Sequence, residues 1–176
     1  MKKMFFIWIS MILLLIMTGC SNDDEAAKEL IDYYNNDWIT VQKMKEENLN
    51  PKKDKLIDIE NDSKNKASTY VKEELMPSMK EILDYLNHIE LEHKEVKKLH
   101  RLEMEGEEFA YKGFKDGIAY YKGELTDDEM NENTKKLEKK YDAFLERRDK
   151  LMDKYNIVWV DDSSSESGYQ KMKLKR

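Results

Sequence analysis

Three histidines, 37 acidic side chains and a single cysteine are the groups through which this chain could do chemistry. His88, His93 and His100 fall within one predicted helix. Seven residues separate His93 from His100, so the two share a face, whereas His88 lies five from His93 and off that face. Two imidazoles that grip one zinc ion from a helix need i, i+4 spacing, because each ring nitrogen must come within about 2.0–2.1 Å of the metal. Neither spacing meets that need. A site built on His100 with Glu92 or Glu103 would take its remaining ligands from another helix. The histidines therefore read as polar seam positions, exposed or paired with Glu, and no metal and no cofactor is expected.

The carboxylates are too numerous to single out a pair. Glu90, Glu92, Glu95, Glu103, Glu105, Glu107 and Glu108 have the spacing of a solvated helix face with lysine partners. A paired-acid hydrolase would need two of them in one cleft with separated pKa values. The sequence also lacks a nucleophile elbow, a phosphate-cradling glycine loop and a zinc-protease motif. The expectation is a protein that is not an enzyme. Aromatic pairs are more informative. Tyr33 with Tyr34, and Tyr120 with Tyr121, are adjacent, and neighbours on a helix point about 100° apart. At least one of each pair is expected near the surface, where tyrosine favours contact patches. Tyr33, Tyr120 and Tyr121 are the candidate partner-contact residues.

The cysteine is Cys20, and its surroundings give it a role. Lys2 and Lys3 precede an apolar run from Met4 to Met17 interrupted only by Ser10. That run is shorter than the roughly 20 residues a membrane-spanning helix needs, and it matches the roughly 7–15 of a signal-peptide core. It ends in Met17-Thr18-Gly19-Cys20, which resembles the lipobox of bacterial lipoproteins, with Met17 where Leu is usual. The resemblance implies cleavage before Cys20 and a diacylglyceryl thioether on its sulfur. A lone thiol outside the cell has no disulfide partner, and lipidation accounts for it. Two acyl chains anchor stably where one binds marginally. The location implied is the cell membrane, on its extracytoplasmic face.

Residues 1–19 contain two lysines and no acids, so their removal leaves 29 basic against 37 acidic residues, a net charge of −8. Such a chain is repelled by nucleic acid, which is excluded as a partner on that ground. Two prolines and six glycines are too few for the turns of an all-β protein.

The elements that must position these residues are helical. Residues 20–23 form the lipidated cysteine and a short linker, and residues 24–160 one helical domain. Ala27, Leu30, Tyr34, Trp38, Val41 and Met44 make a first stripe, stopped at Asn48-Leu49-Asn50-Pro51. A second helix is predicted over Lys53–Leu75, weakest where Asn61–Ser68 is polar. Pro77 stands either at the first turn of a new helix or at a kink, and Ile82, Leu86, Ile89, His93, Val96 and Leu99 carry the stripe on. One helix from Ser78 to Lys122 would span roughly 65 Å. Within it, Glu105–Lys122 reads as helix in preference to a hairpin of Phe109–Tyr111 with Ile118–Tyr121. Thr126 with Glu129 is a capping box, and Met130, Thr134, Leu137, Tyr141, Phe144, Arg148, Leu151 and Tyr155 form a coiled-coil-like seam closed by Asn156. Ile157–Val160 is expected to pack on the end of the helices, and residues 161–176 to be disordered. Four cations in the last six residues suit either a solubilising tail or docking on anionic membrane or wall polymer, the tail being preferred.

The fold class that follows is all-α, an elongated antiparallel bundle of three or four helices. With Cys20 and Lys/Glu-rich helices together, the chain resembles the small helical lipoproteins of Gram-positive bacteria, among them a family described as cell-wall-binding. That resemblance covers the signal region and the architecture, and it implies location and shape alone. The expected function is a non-enzymatic interaction or scaffold module at the cell envelope, with an envelope protein or wall polymer as partner. A solute- or metal-binding lipoprotein is the alternative, and a wall-modifying enzyme a more distant one.

Overall fold

The computed structural model describes residues 23–161 and 169–175. The signal segment 1–19, the lipobox residues Met17, Thr18 and Gly19, and Cys20 itself lie outside the described residues. Helix α1 spans residues 23–62, α2 residues 64–87, α3 Lys94–Tyr121 and α4 Asp127–Lys154. Two short strands follow, β1 over Ile157–Val160 and β2 over Lys171–Leu174, paired antiparallel. From residue 23 to that hairpin the described chain is helical apart from short connections.

Pro51 does not end the first helix. The turn Lys45–Leu49 is π-helical, Asn50 donates its N–H to the Lys45 carbonyl, and Asn50 itself stays helical at φ −62° and ψ −44°. Proline lacks the N–H of a regular turn, and its ring strikes the carbonyl four residues back. A widened turn just before it shifts that carbonyl out of the way. Pro77 is handled alike. Val71–Leu75 is π-helical, Met76 donates to the Val71 carbonyl, and the helix continues to Asn87. Each proline stands two residues beyond a π turn.

The predicted helix Lys53–Leu75 breaks at Ser63, whose φ of −163° and ψ of 120° are extended. The Ser63 hydroxyl accepts from the Lys66 N–H at 3.5 Å, so the serine serves as N-cap of α2. The polar stretch around it offers no apolar face to hold a continuous helix, and a serine prefers the cap.

The 45-residue helix expected from Ser78 to Lys122 is also divided, because residues 88–93 leave the helix between α2 and α3. Glu29 of α1 holds the backbone just before α3, accepting from the N–H of Glu92 and, at 2.8 Å, of His93. No local cap is present at His93. The break thus depends on a residue more than sixty positions away. Beyond it, Glu105–Tyr121 is helix, as expected.

Pair contacts fix the helix directions. Tyr85 donates to Asp37 at 3.0 Å and Lys52 to Ser78 at 2.9 Å, setting α2 antiparallel to α1. Tyr33 meets His100, and Tyr121 meets Glu60, so α3 runs parallel to α1. Asn133 donates to Asp116 and Tyr141 to Glu107, so α4 returns beside α3. Apolar side chains pack in two clusters: one of Leu30, Val96, Leu99, Phe144 and Leu151 near the start of α1, the other of Val41, Leu75, Met79, Ile82 and Leu86 farther along. The Thr126–Glu129 capping box is present. The α4 seam is buried at Phe144 and Leu151, whereas Thr134 is exposed.

Residues 169–175 depart from the expected disorder, while residues 162–168 and 176 of that tail lie outside the described residues. Met172 is buried in the first core cluster, and Asn35 clamps its backbone, donating to the Met172 carbonyl at 2.9 Å and accepting from its N–H at 2.8 Å. The amide of Asn35 thus stands in for a third strand. Asn156, in the left-handed region at φ 56°, turns the chain from α4 into β1.

Candidate functional site

The most unusual chemistry lies inside the helices. Glu103 and Glu107 occupy successive turns of α3 and are 2 % and 1 % exposed. Lys45, from the first residue of the α1 π turn, pairs with Glu107, and Tyr141 of α4 donates to the same Glu107 oxygen at 3.1 Å. Gly106 makes room for the tyrosine: a β-carbon there would sit 3.4 Å from the Tyr141 ring. Glu103 lies one turn before Glu107 on the same face of α3. Burial pushes its pKa up to about 7, with Lys45 opposing and Glu107 adding to the rise. Burial and then the Glu107 charge hold the Tyr141 hydroxyl far above its ordinary range.

One turn along, Tyr33 and His100 meet with hydroxyl oxygen and Nδ1 3.2 Å apart and rings edge to face. Burial lowers the His100 pKa and so favours the neutral ring, opposed by Asp37 and a hydrogen bond to the Leu86 backbone. Tyr33 is only 1 % exposed, which removes it from the contact surface expected of it. Both members of the Tyr33–Tyr34 pair are buried because α1 has neighbours on two sides. Tyr33 faces α3, and Tyr34 stacks on Trp38 at 4.4 Å and meets Trp159 of β1 at 4.9 Å.

That second side forms a pocket of about 610 Å³ lined by Tyr34, Trp38, Arg148, Trp159, Asp161, Tyr169 and Gln170. The Arg148 guanidinium lies 5.1 Å from the Trp159 ring centre and pairs with Asp149 at 2.8 Å. Planar rings beside guanidinium, carboxamide and carboxylate groups can hold a small polar ligand with apolar faces. Sequence reasoning missed this pocket. Its two tryptophans lie 121 positions apart, and only the unexpected hairpin brings them together.

Tyr120 and Tyr121 close the far end of the helices. Tyr121 donates to Glu60 at 3.1 Å, Lys64 sits 5.1 Å from the Tyr120 ring centre, and Asp127 bonds the Tyr120 hydroxyl. Both rings are half-exposed. The structure brings these two together and leaves them apart from Tyr33. His88 ends α2 and His93 begins α3, so the histidines do not share one helix. Among the described residues, no three His, Cys, Asp or Glu side chains converge as metal ligands, and no helix is long and apolar enough to cross a membrane. No family model, no characterised protein and no solved structure matches the chain.

Proposed function

We propose that the chain is a lipoprotein anchored through Cys20 to the outer face of a cell membrane, where it acts as a non-enzymatic interaction or scaffold module. The observation that carries this reading is the Met17-Thr18-Gly19-Cys20 sequence behind a basic and apolar leader, only three residues before α1 begins. Its shape is an elongated antiparallel bundle with a coiled-coil-like α3–α4 pair. Glu60, bonded to Tyr121, lies 37 residues along α1 from Asp23, roughly 55 Å at 1.5 Å per residue. Tyr120 and Tyr121 therefore suit a contact patch held well away from the lipid. The acid–lysine cluster is enclosed by helices, where it orders the core better than it would serve a substrate.

The test is in-cell cross-linking of the tagged chain, with Cys20→Ala and Tyr120→Ala/Tyr121→Ala as comparisons. One discrete envelope protein, recovered with the parent chain and lost with both variants, supports the reading. Recovery of wall polymer alone, or of nothing above background, contradicts it. A second reading, a solute-binding lipoprotein, has the aromatic pocket in its favour. Calorimetric titration with small ligands, repeated on Trp159→Ala, tests that reading.

A further inference from the structure

Lys171–Leu174 of the C-terminal basic run form strand β2, and its register sorts its side chains by face. Lys173 pairs with Val158 and Lys171 with Val160, while Met172 pairs with Trp159. Side chains alternate across a strand, so lysines and valines share one face of the sheet and Met172 and Trp159 the other. Met172 is buried against the helices, which turns the Lys–Val face outward. Lys171, Lys173 and Lys175 are exposed, and Val158 and Val160 are half-exposed between them. Lys173 and Lys175 have no ion-pair partner among the described residues.

This face also lies at the end of the molecule where the chain leaves for Cys20. Asp23, at the start of α1, pairs with Lys154 at 3.4 Å. Two residues on, the Asn156 carbonyl accepts from the Lys175 N–H at 2.8 Å. Cys20 is three residues from Asp23, at most about 11 Å of extended chain.

We infer that the Lys–Val face of the hairpin rests on an anionic phospholipid surface and sets how the anchored domain leans. The inference rests on the reading of Cys20 as the lipid-bearing residue. Charge complementarity names the occupant. A mature chain with a net charge of −8 is repelled by such a surface as a whole, so attraction must be local, and this face is basic. Lysines beside the membrane each contribute on the scale of thermal energy, and their stems let valines approach the headgroups while the ammonium groups stay in water. The tether keeps the face within reach, so a weak attraction is enough to choose an orientation.

The experiment couples the mature chain through Cys20 to a maleimide lipid in vesicles and maps lysine acetylation by mass spectrometry. On phosphatidylglycerol-containing vesicles, labelling of Lys173 and Lys175 is expected to fall severalfold relative to phosphatidylcholine, with Lys122 at the far tip unchanged. Val158→Asp, on the exposed face, is expected to abolish that protection while the helical circular dichroism stays intact. Equal labelling in the two lipids, or equal protection of Lys122, overturns the inference. So does protection that follows soluble polyphosphate on phosphatidylcholine vesicles and not phosphatidylglycerol, which assigns the face to a wall polymer instead. Coupling supplies the tether chemically, so a failure here is distinct from a failure of lipidation, which fatty-acid labelling in cells reads separately.

Discussion

Glu103 and Glu107 stand one helical turn apart on α3, both inside the protein, and share one cation, Lys45, which bonds only Glu107. Two buried carboxylates cannot both ionise against a single ammonium group without cost. The pair therefore holds a proton in the neutral range, and Glu103, whose pKa burial raises to about 7, is the group that keeps it.

The first prediction follows from linkage. Glu103 has a folded-state pKa of about 7 against an ordinary value of 4.5. A pKa raised by folding gives stability that is complete below the unfolded value and is lost as pH rises through the folded one. Between about pH 4.5 and pH 7 this group should withdraw on the order of 3 kcal/mol. Urea unfolding of Glu103→Gln, measured at pH 5 and pH 8, is expected to lack that decline, so the variant gains on the parent as pH rises. Parallel pH profiles for the two chains would contradict the assignment.

Lys45→Met should be among the most damaging single changes. It leaves two buried acids with no cation, a situation that costs about 3–5 kcal/mol. Adding Glu107→Gln to Lys45→Met should recover a large part of the loss in thermal unfolding. A double variant no more stable than Lys45→Met would show that the lysine acts through packing alone.

Gly113 and Gly117 lie within α3, and a β-carbon at either meets nothing within 4 Å. Each Gly→Ala change should stabilise by about 0.5–1 kcal/mol through helix propensity. Unfolding midpoints that fall for both variants would argue for a non-helical segment.

Asn35→Ala removes both hydrogen bonds that clamp Met172. A loss of about 1–2 kcal/mol is expected, with faster hydrogen exchange at the Met172 amide and faster proteolysis across residues 169–175. If exchange at Met172 is already fast in the parent chain, β2 is not a stable strand.

Local signals in the sequence were legible and distant ones were not. The Thr126–Glu129 box, the α3 helix through its three glycines and the turn at Asn156 all depend on residues within a few positions of one another. The break at residues 88–93 depends on Glu29, the strand at Met172 on Asn35, the burial of Tyr33 on His100, and that of Tyr34 on the hairpin. No window of sequence contains those partners. Pro51 misled for a different reason: a π turn admits a helical residue before proline, which the ordinary rule disfavours. The acid pair was visible as Glu103 and Glu107 but hidden among many similar spacings. Only burial separated it from a solvated face.

The central claim is that Cys20 becomes the first residue and carries the lipid. Purification of the tagged chain from membranes, followed by mass spectrometry of its N-terminal peptide, tests it most directly. The account predicts a peptide beginning at Cys20 and carrying a diacylglyceryl mass on sulfur, both lost in Cys20→Ala. A peptide that retains residues before Cys20, or one with a free Cys20 thiol, would contradict it.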